Sequence, residues 1–204
     1  MITLQNAVDD LYRIAVTEQK RQSPNRLAVL AEMCVEQLAA RGIPGAAKEI
    51  PVPGIGRSKS WDVGWPPHGK VRLCISLKSL LRNIPGAVSN RVDDLTGEMA
   101  NVQLLSPEIV TGYIMIFDTS ESRLRKDGSR WVDYFRDAVN RLSGRDAPAW
   151  AAGMVEASAV VEVTSQRHRR ASWQRLIWPH SSTGSPIVFG TGTPTHSQQE
   201  NRDH

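Results

Sequence analysis

The sequence predicts a mixed α/β fold in which a central β-sheet is flanked by helices. The basis is an alternation along the chain between two kinds of apolar periodicity. Apolar residues repeat at helical spacing in three segments, which are 26–41, 90–105 and 131–142. They alternate with polar residues, as in half-buried strands, in 60–65, 71–78 and 154–163. The segment 109–117 is almost continuously apolar, as expected of a strand buried on both faces.

The first predicted helix, 26–41, is amphipathic. Its apolar stripe consists of Leu27, Leu30, Ala31, Cys34 and Leu38. Gly42 and Pro44 end the pattern. The following segment, 51–59, is rich in proline and glycine but lacks the Gly-Lys-Ser/Thr ending of a phosphate-binding loop, so we predict a turn-rich connection there.

The segments 60–65 and 71–78 predict a β-hairpin. In the first, Trp61, Val63 and Trp65 point to one face and Asp62 to the other. The turn signal is the run Pro66-Pro67-His68-Gly69. In the second, four apolar residues alternate with Arg72, Cys74, Ser76 and Lys78. If the polar faces of the two strands coincide, then Asp62, Ser76 and Lys78 converge.

The helix predicted over 90–105 carries two stripes. One is apolar and is formed by Val92, Leu95, Met99 and Val102. The other is polar and is formed by Arg91, Asp94, Glu98 and Asn101. A polar stripe on such a helix is usually its solvated face, but this one directly follows the strand that ends near Lys78, so it is also a candidate part of a site.

Length, composition and cysteine spacing narrow the class of protein. The chain of 204 residues is 40% hydrophobic, which suits one domain, predicted over 1–179. Residues 180–204 are dominated by small and polar residues, and a disordered tail is predicted there. The N-terminus does not resemble a signal peptide, no apolar run is long enough to cross a membrane, and the two cysteines are far apart. We therefore expect a soluble cytoplasmic protein without a membrane partner.

The predicted hairpin brings together groups suited to phosphodiester hydrolysis. Such hydrolysis with a metal ion needs a carboxylate to hold the cation, and a cationic group to position water or offset developing charge. Asp62 and Lys78 supply one of each. The histidines show no zinc-binding spacing, and no Gly-x-Ser-x-Gly or dinucleotide-binding motif occurs.

In these residues the chain resembles the PD-(D/E)xK nuclease superfamily, in which a strand Asp is followed by an acidic-x-Lys triplet on the next strand. The matching residues are Asp62 and Ser76-Leu77-Lys78, and together with the stripe on the following helix they are similar to predicted bacterial type II restriction endonucleases. The resemblance covers roughly residues 58–118. It implies a restriction-endonuclease-like fold, Mg²⁺ as cofactor and double-stranded DNA as substrate. Trp61 and Ser76 depart from the pattern, Ser76 because it replaces the second metal-binding carboxylate.

The resemblance also implies where a replacement carboxylate lies. Some restriction enzymes of this superfamily have Ser-x-Lys and take the acid from the following helix. Glu98 is the first choice on that basis, and Asp94, one turn earlier on the same face, is the second. The expected metal ligands are therefore Asp62 with Glu98 or Asp94, and the expected catalytic residues are Asp62, Ser76, Lys78 and Glu98.

Candidate DNA contacts fall in two parts of the chain. Arg91 and Asn101 share the polar stripe and could touch the scissile phosphate or hold the carboxylates in place. The C-terminal third carries a basic segment with Arg167, Arg169 and Arg170, close to tryptophans. This segment fits a phosphate-binding surface or an ordinary solvated edge.

The sequence therefore predicts a magnesium-dependent type II restriction endonuclease. A homodimer is the simplest arrangement that cuts both strands at a palindrome. A restriction enzyme also implies a cognate DNA methyltransferase as functional partner. Two alternatives stay open. One is a repair or anti-phage nuclease of the same fold without sequence specificity, and the other is a DNA-binding protein whose catalytic site has decayed.

Overall fold

The computed structural model describes residues 1–120, 124–146 and 150–164, and the backbone of 171–173. The predicted tail 180–204 and the basic segment with Arg167, Arg169 and Arg170 lie outside the described residues. The helices are α1 (Leu4–Tyr12), α2 (Ala28–Ala39), α3 (Ile84–Gln103) and α4 (Trp131–Arg141), with a π-helical turn at Arg13–Thr17 and a 3₁₀ turn at Pro24–Leu27. The strands are β1 (Ala47–Val52), β2 (Lys59–Trp65), β3 (Leu73–Leu80), β4 (Val110–Asp118), β5 (Ala157–Val163) and β6 (Ala171–Trp173).

The described strands form one mixed sheet in the order β1-β2-β3-β4-β5-β6. β1, β2 and β3 are antiparallel neighbours, β3, β4 and β5 run parallel, and β6 is antiparallel to β5. Each parallel pair is joined through a helix, α3 between β3 and β4 and α4 between β4 and β5. The mixed α/β class predicted from the sequence is confirmed.

Helices cover both faces of the sheet. Because both crossovers step in the same direction along the sheet and such connections share one hand, α3 and α4 lie on the same face. Their core includes Leu95, Met99 and Phe135 packed on Tyr113 and Met115. The other face is covered by α1 and α2, whose apolar residues pack on side chains that include those of Val63, Ile75, Leu77 and Ile114.

Several predicted elements are confirmed with shifted ends, and others were missed. The strand predicted over 109–117 is β4, which is buried from Thr111 to Asp118. The helix predicted over 90–105 begins earlier, at Ile84, because Pro85 suits the first turn of a helix. The missed elements include α1, which Thr3 caps with its side chain, and β1, whose short sequence contains Pro51 and alternates weakly. The short strand β6 was missed as well.

The alternation in 60–65 predicts one face for Trp61 and Val63, and this is wrong. Trp61 is buried in the core beneath α3 and α4, whereas Val63 is buried on the α1 and α2 side. The pairing of β1 with β2 skips the opposed residues Glu49 and Asp62 without a change of register, and Glu49 has a positive φ of 54°. This local irregularity lies between Trp61 and Val63, which therefore do not share a face as residues two apart do in a regular strand.

None of the helices in the described part of the chain is both long and apolar enough to span a bilayer.

Two buried tyrosine hydroxyls have contrasting surroundings. Tyr12 of α1 donates a hydrogen bond of 2.6 Å to Oδ2 of Asp118, the last residue of β4. The hydroxyl of Tyr113 is buried on the other face of the sheet, and no hydrogen-bond partner for it occurs among the described residues. Burial is the main cause that raises the pKa of Tyr113, and the negative charge of Glu98 adds to it.

We predict that the two hydroxyls contribute oppositely to stability. Tyr12→Phe lowers the free energy of unfolding by about 1–3 kcal/mol because it leaves a buried carboxylate oxygen without its donor. Tyr113→Phe leaves the free energy of unfolding unchanged or raises it, since it removes a buried hydroxyl that lacks a partner. Urea unfolding followed by circular dichroism measures both. A loss in Tyr113→Phe equal to that in Tyr12→Phe would contradict the assignment.

Candidate active site

The site begins where β2 and β3 separate. The two strands pair from Trp65 and Leu73 as far as Val63 and Ile75. At the next position the Oδ2 atom of Asp62 accepts a hydrogen bond of 2.7 Å from the backbone N–H of Leu77. The carboxylate thus satisfies a strand N–H that the β2 backbone no longer reaches, and it lies between the two strands.

Ser76, Lys78 and Glu98 form a connected group beside this point. Ser76 Oγ donates to Glu98 Oε2 at 2.8 Å, and Lys78 Nζ donates to Ser76 Oγ at 2.9 Å. Lys78 Nζ also lies 3.2 Å from Glu98 Oε1. The strand β3 presents Ser76 and Lys78 on the face that α3 covers, and α3 presents Glu98 toward them. The structure therefore brings together the Ser-x-Lys pair and the first-choice carboxylate.

A second lysine, which was not singled out in the sequence, joins the group. Lys59, the first residue of β2, places its Nζ 2.5 Å from Glu98 Oε1. The ammonium also lies 5.3 Å from the ring centroid of Trp61. The sequence did not indicate Lys59, because it lies three residues before Asp62. In a regular strand, residues three apart point to opposite faces.

The two carboxylates differ in their ionisation. Burial is the largest influence on Glu98 and opposes its ionisation, but the charges of Lys78 and Lys59 and the Ser76 hydrogen bond together hold its pKa below the ordinary value. Burial also dominates at Asp62 and raises its pKa, against the Leu77 hydrogen bond and the charge of Lys78. Burial, aided by the charge of Lys78, lowers the pKa of Lys59. Additional positive charge would stabilise the ionised form of Asp62.

Arg26 is a further residue that the sequence did not single out. Its guanidinium donates to the carbonyl of Ser23 at 3.1 Å and to Ser79 Oγ at 3.5 Å, so it lies beside the strand residue after Lys78. Burial lowers the pKa of Arg26, the charge of Arg91 lowers it further, and the charge of Asp62 raises it. Arg26 therefore lies beside β3 next to Lys78, and it experiences the charges of both Asp62 and Arg91.

Asp94, the second-choice carboxylate, has a different neighbour. Its Oδ2 atom lies 2.7 Å from Nη1 of Arg91, and its side chain is 49% exposed. Both residues line an open depression on α3 together with Asn90 and Asp93. Ser76 and Lys78 are engaged by Glu98, one turn further along the helix, and Asp94 is directed toward Arg91.

Asn101 is engaged by the loop before β2. Its Oδ1 atom accepts from the N–H groups of Gly56 at 2.9 Å and Arg57 at 3.3 Å, and its Nδ2 atom donates to the Arg57 carbonyl at 3.0 Å. A Cβ atom on Gly54 would lie 2.0 Å from Asn101 Nδ2, so the loop approaches α3 closely only because this residue is glycine. The structure gives Asn101 an anchoring role, and its contact with DNA stays a prediction.

The residues present can be compared with the needs of a metal ion. No three His, Cys, Asp or Glu side chains converge within the described part of the chain. Asp62 and Glu98 are two carboxylates that both experience the charges of Lys78 and Lys59. Mg²⁺ is usually held by one or two carboxylates, with water and phosphate oxygens completing the coordination. The donor set fits Mg²⁺ and lacks the ligands of a protein-enclosed metal site.

Comparison of the chain with protein-family models, with curated proteins and with solved structures gave no significant match.

We predict that Asn101→Ala destabilises the protein, because three hydrogen bonds to the loop are lost and net contributions are about 1 kcal/mol each. A loss of about 1–3 kcal/mol in the free energy of unfolding is expected from urea unfolding. Asn90→Ala, on an exposed position of the same helix, is the control and should change stability by less than about 0.5 kcal/mol. Equal effects in the two variants would refute the anchoring role.

Proposed function

We propose that the chain is a magnesium-dependent endonuclease that hydrolyses phosphodiester bonds in double-stranded DNA, as a type II restriction enzyme. The observation that carries the proposal is the connected group of Ser76, Lys78 and Glu98, beside the point where Asp62 accepts from the Leu77 N–H and β2 and β3 separate. Buried charges are costly unless they are paired or used, and this group places partly buried charges where two strands of the sheet separate.

In this proposal Asp62 and Glu98 hold Mg²⁺. When bound, the ion would polarise the phosphate and favour deprotonation of an attacking water. Ser76 fixes the direction of the Glu98 carboxylate through its 2.8 Å hydrogen bond, and so takes over a supporting role at the position where the resemblance expects an acid. The carboxylate that the triplet lacks is supplied by the helix packed over it.

Lys78 supplies positive charge to the reaction. Its ammonium has three donors, one directed to Ser76 Oγ and one toward Glu98, so a further donor can contact a phosphate oxygen. In hydrolysis the water oxygen forms a bond to phosphorus, the ester P–O bond breaks, and the departing oxygen takes up a proton. Negative charge grows on the phosphate oxygens during this step, and Lys78 offsets it.

Arg26 and Arg91 extend the cationic border of the site and are suited to phosphates on either side of the scissile bond. Double-stranded cutting by a chain with one site would use a homodimer, and a host that carries a restriction enzyme would protect its DNA with a methyltransferase. Arg167, Arg169 and Arg170 stay candidate contacts to the DNA backbone.

The decisive test is incubation of the protein with unmethylated plasmid and phage DNA, with and without Mg²⁺. We predict discrete fragments that require Mg²⁺. Lys78→Ala should reduce cleavage by about 10²-fold or more while DNA retardation in gels persists, because the variant loses charge stabilisation at the reacting phosphate. Lys70→Ala, which removes an exposed lysine paired with Glu108, is the control and should cut as the wild type does.

The outcomes separate the candidate functions. A smear of fragments indicates a nuclease without sequence specificity. Retardation of DNA without cleavage by the wild type indicates a DNA-binding protein, and would refute the enzymatic proposal. Cleavage by Lys78→Ala at the wild-type rate would refute the assignment of Lys78.

A second prediction concerns the carboxylate on α3. Glu98→Gln should abolish Mg²⁺-dependent cleavage and weaken Mg²⁺ binding measured by calorimetry, because the amide cannot replace a charged ligand. Asp94→Asn is the matched control, one turn away on the same helix, and should retain most activity because Asp94 is directed to Arg91. Full activity in Glu98→Gln would contradict the assignment, and full activity in both would exclude a ligand from this helix stripe.

A further inference from the structure

Two ammonium groups meet a single carboxylate oxygen in this site. The Nζ atoms of Lys59 and Lys78 lie 2.5 Å and 3.2 Å from the same Oε1 atom of Glu98. All three side chains are about one-fifth exposed, so water screens their charges only in part. With the nearby Asp62, the group contains two carboxylates and two ammonium groups, and its formal charge is balanced without any metal.

This balance has a consequence for a divalent cation. If Mg²⁺ joined Asp62 and Glu98 while both lysines stayed in place, three cationic centres would surround one carboxylate. Like charges at such distances repel strongly where water is partly excluded. One ammonium must therefore leave Glu98 when the metal enters.

The two lysines are not held equally. Lys78 is fixed by a hydrogen bond of 2.9 Å to Ser76 Oγ, within its own strand. Lys59 lies at the first residue of β2, and beyond its ion pair with Glu98 its Nζ makes no hydrogen bond to any described residue. The face of Trp61 lies 5.3 Å away and offers the ammonium another favourable position. Lys59 is the lysine that can be released at the smaller cost.

We propose that Lys59 is a resident cation that occupies the metal position on Glu98 and exchanges with Mg²⁺. The proposal rests on the proposed nuclease function, since it takes Asp62 and Glu98 as the metal ligands. After the exchange, the charges of both carboxylates, Lys78, one Mg²⁺ and one phosphodiester cancel. Lys59 thus acts through Glu98 as a positioning residue: it keeps the carboxylates ionised and in place before the metal binds, and it lowers the affinity for Mg²⁺.

The test is titration of Mg²⁺ into the DNA-free protein, measured by isothermal titration calorimetry. Lys59→Met, which keeps the length of the side chain and removes its charge, should bind Mg²⁺ about tenfold more tightly than the wild type, a change of about 1.4 kcal/mol. Lys59→Arg keeps the charge and should bind Mg²⁺ within about twofold of the wild type. Thermal unfolding of each variant shows that it is folded.

The matched control is Lys48→Met. Lys48 lies on the neighbouring strand β1 and pairs with Glu32 at 2.5 Å, away from the site, so its loss changes the net charge of the protein equally. An equal gain in Mg²⁺ affinity in Lys48→Met and Lys59→Met would overturn the proposal, and so would unchanged or weaker binding in Lys59→Met.

The same titration separates this proposal from the proposed function. Wild-type protein that cuts DNA with Mg²⁺, alongside a Lys59→Met variant without tighter binding, refutes the exchange and leaves the nuclease intact. Folded wild-type and Lys59→Met proteins that both fail to bind Mg²⁺ and to cut DNA refute the metal site itself, and the exchange with it.

Discussion

The hydrogen bond from the Leu77 N–H to the Asp62 carboxylate is the constraint on which the site depends. A buried strand N–H must find an acceptor, and at this position a side chain supplies it in place of the neighbouring backbone. The strands β2 and β3 can therefore diverge without leaving an unsatisfied donor. Glu98 of α3 lies on the adjoining face of the sheet, where it contacts Ser76, Lys78 and Lys59.

Each of the four charged side chains at this site, those of Lys59, Asp62, Lys78 and Glu98, has a partner. Glu98 accepts from Ser76 and pairs with two lysines, while Asp62 is held by the backbone and experiences both lysine charges. Such an assembly is expensive to bury, and a pair of apolar residues at the same positions would serve stability at least as well. Its presence where two strands of the sheet separate is the physical reason to assign it chemistry.

The sequence predicted the parts of the molecule that depend on local pattern. The long apolar run of β4, the hairpin turn at Pro66–Gly69 and the helical spacing around Leu95 are strong local signals, and each element is present. The placement of Glu98 beside Ser76 and Lys78 also followed from resemblance and spacing. Lys59 and Arg26 could not be predicted, because their approach depends on the irregular backbone at Glu49 and on how the 3₁₀ turn Pro24–Leu27 lies against β3. The same irregularity interrupts the strict alternation that was expected for Trp61.

The attachment of the loop before β2 to Asn101 fixes more than the loop itself. Lys59 follows that loop directly, and Asn101 lies three residues after Glu98, within one helical turn. The loop segment is therefore joined to α3 at two points, through Asn101 and through the ion pair between Lys59 and Glu98. A residue inserted or deleted within 54–58 would change the spacing between these two attachment points. We therefore expect homologues to keep the length of this loop even where its exposed side chains vary.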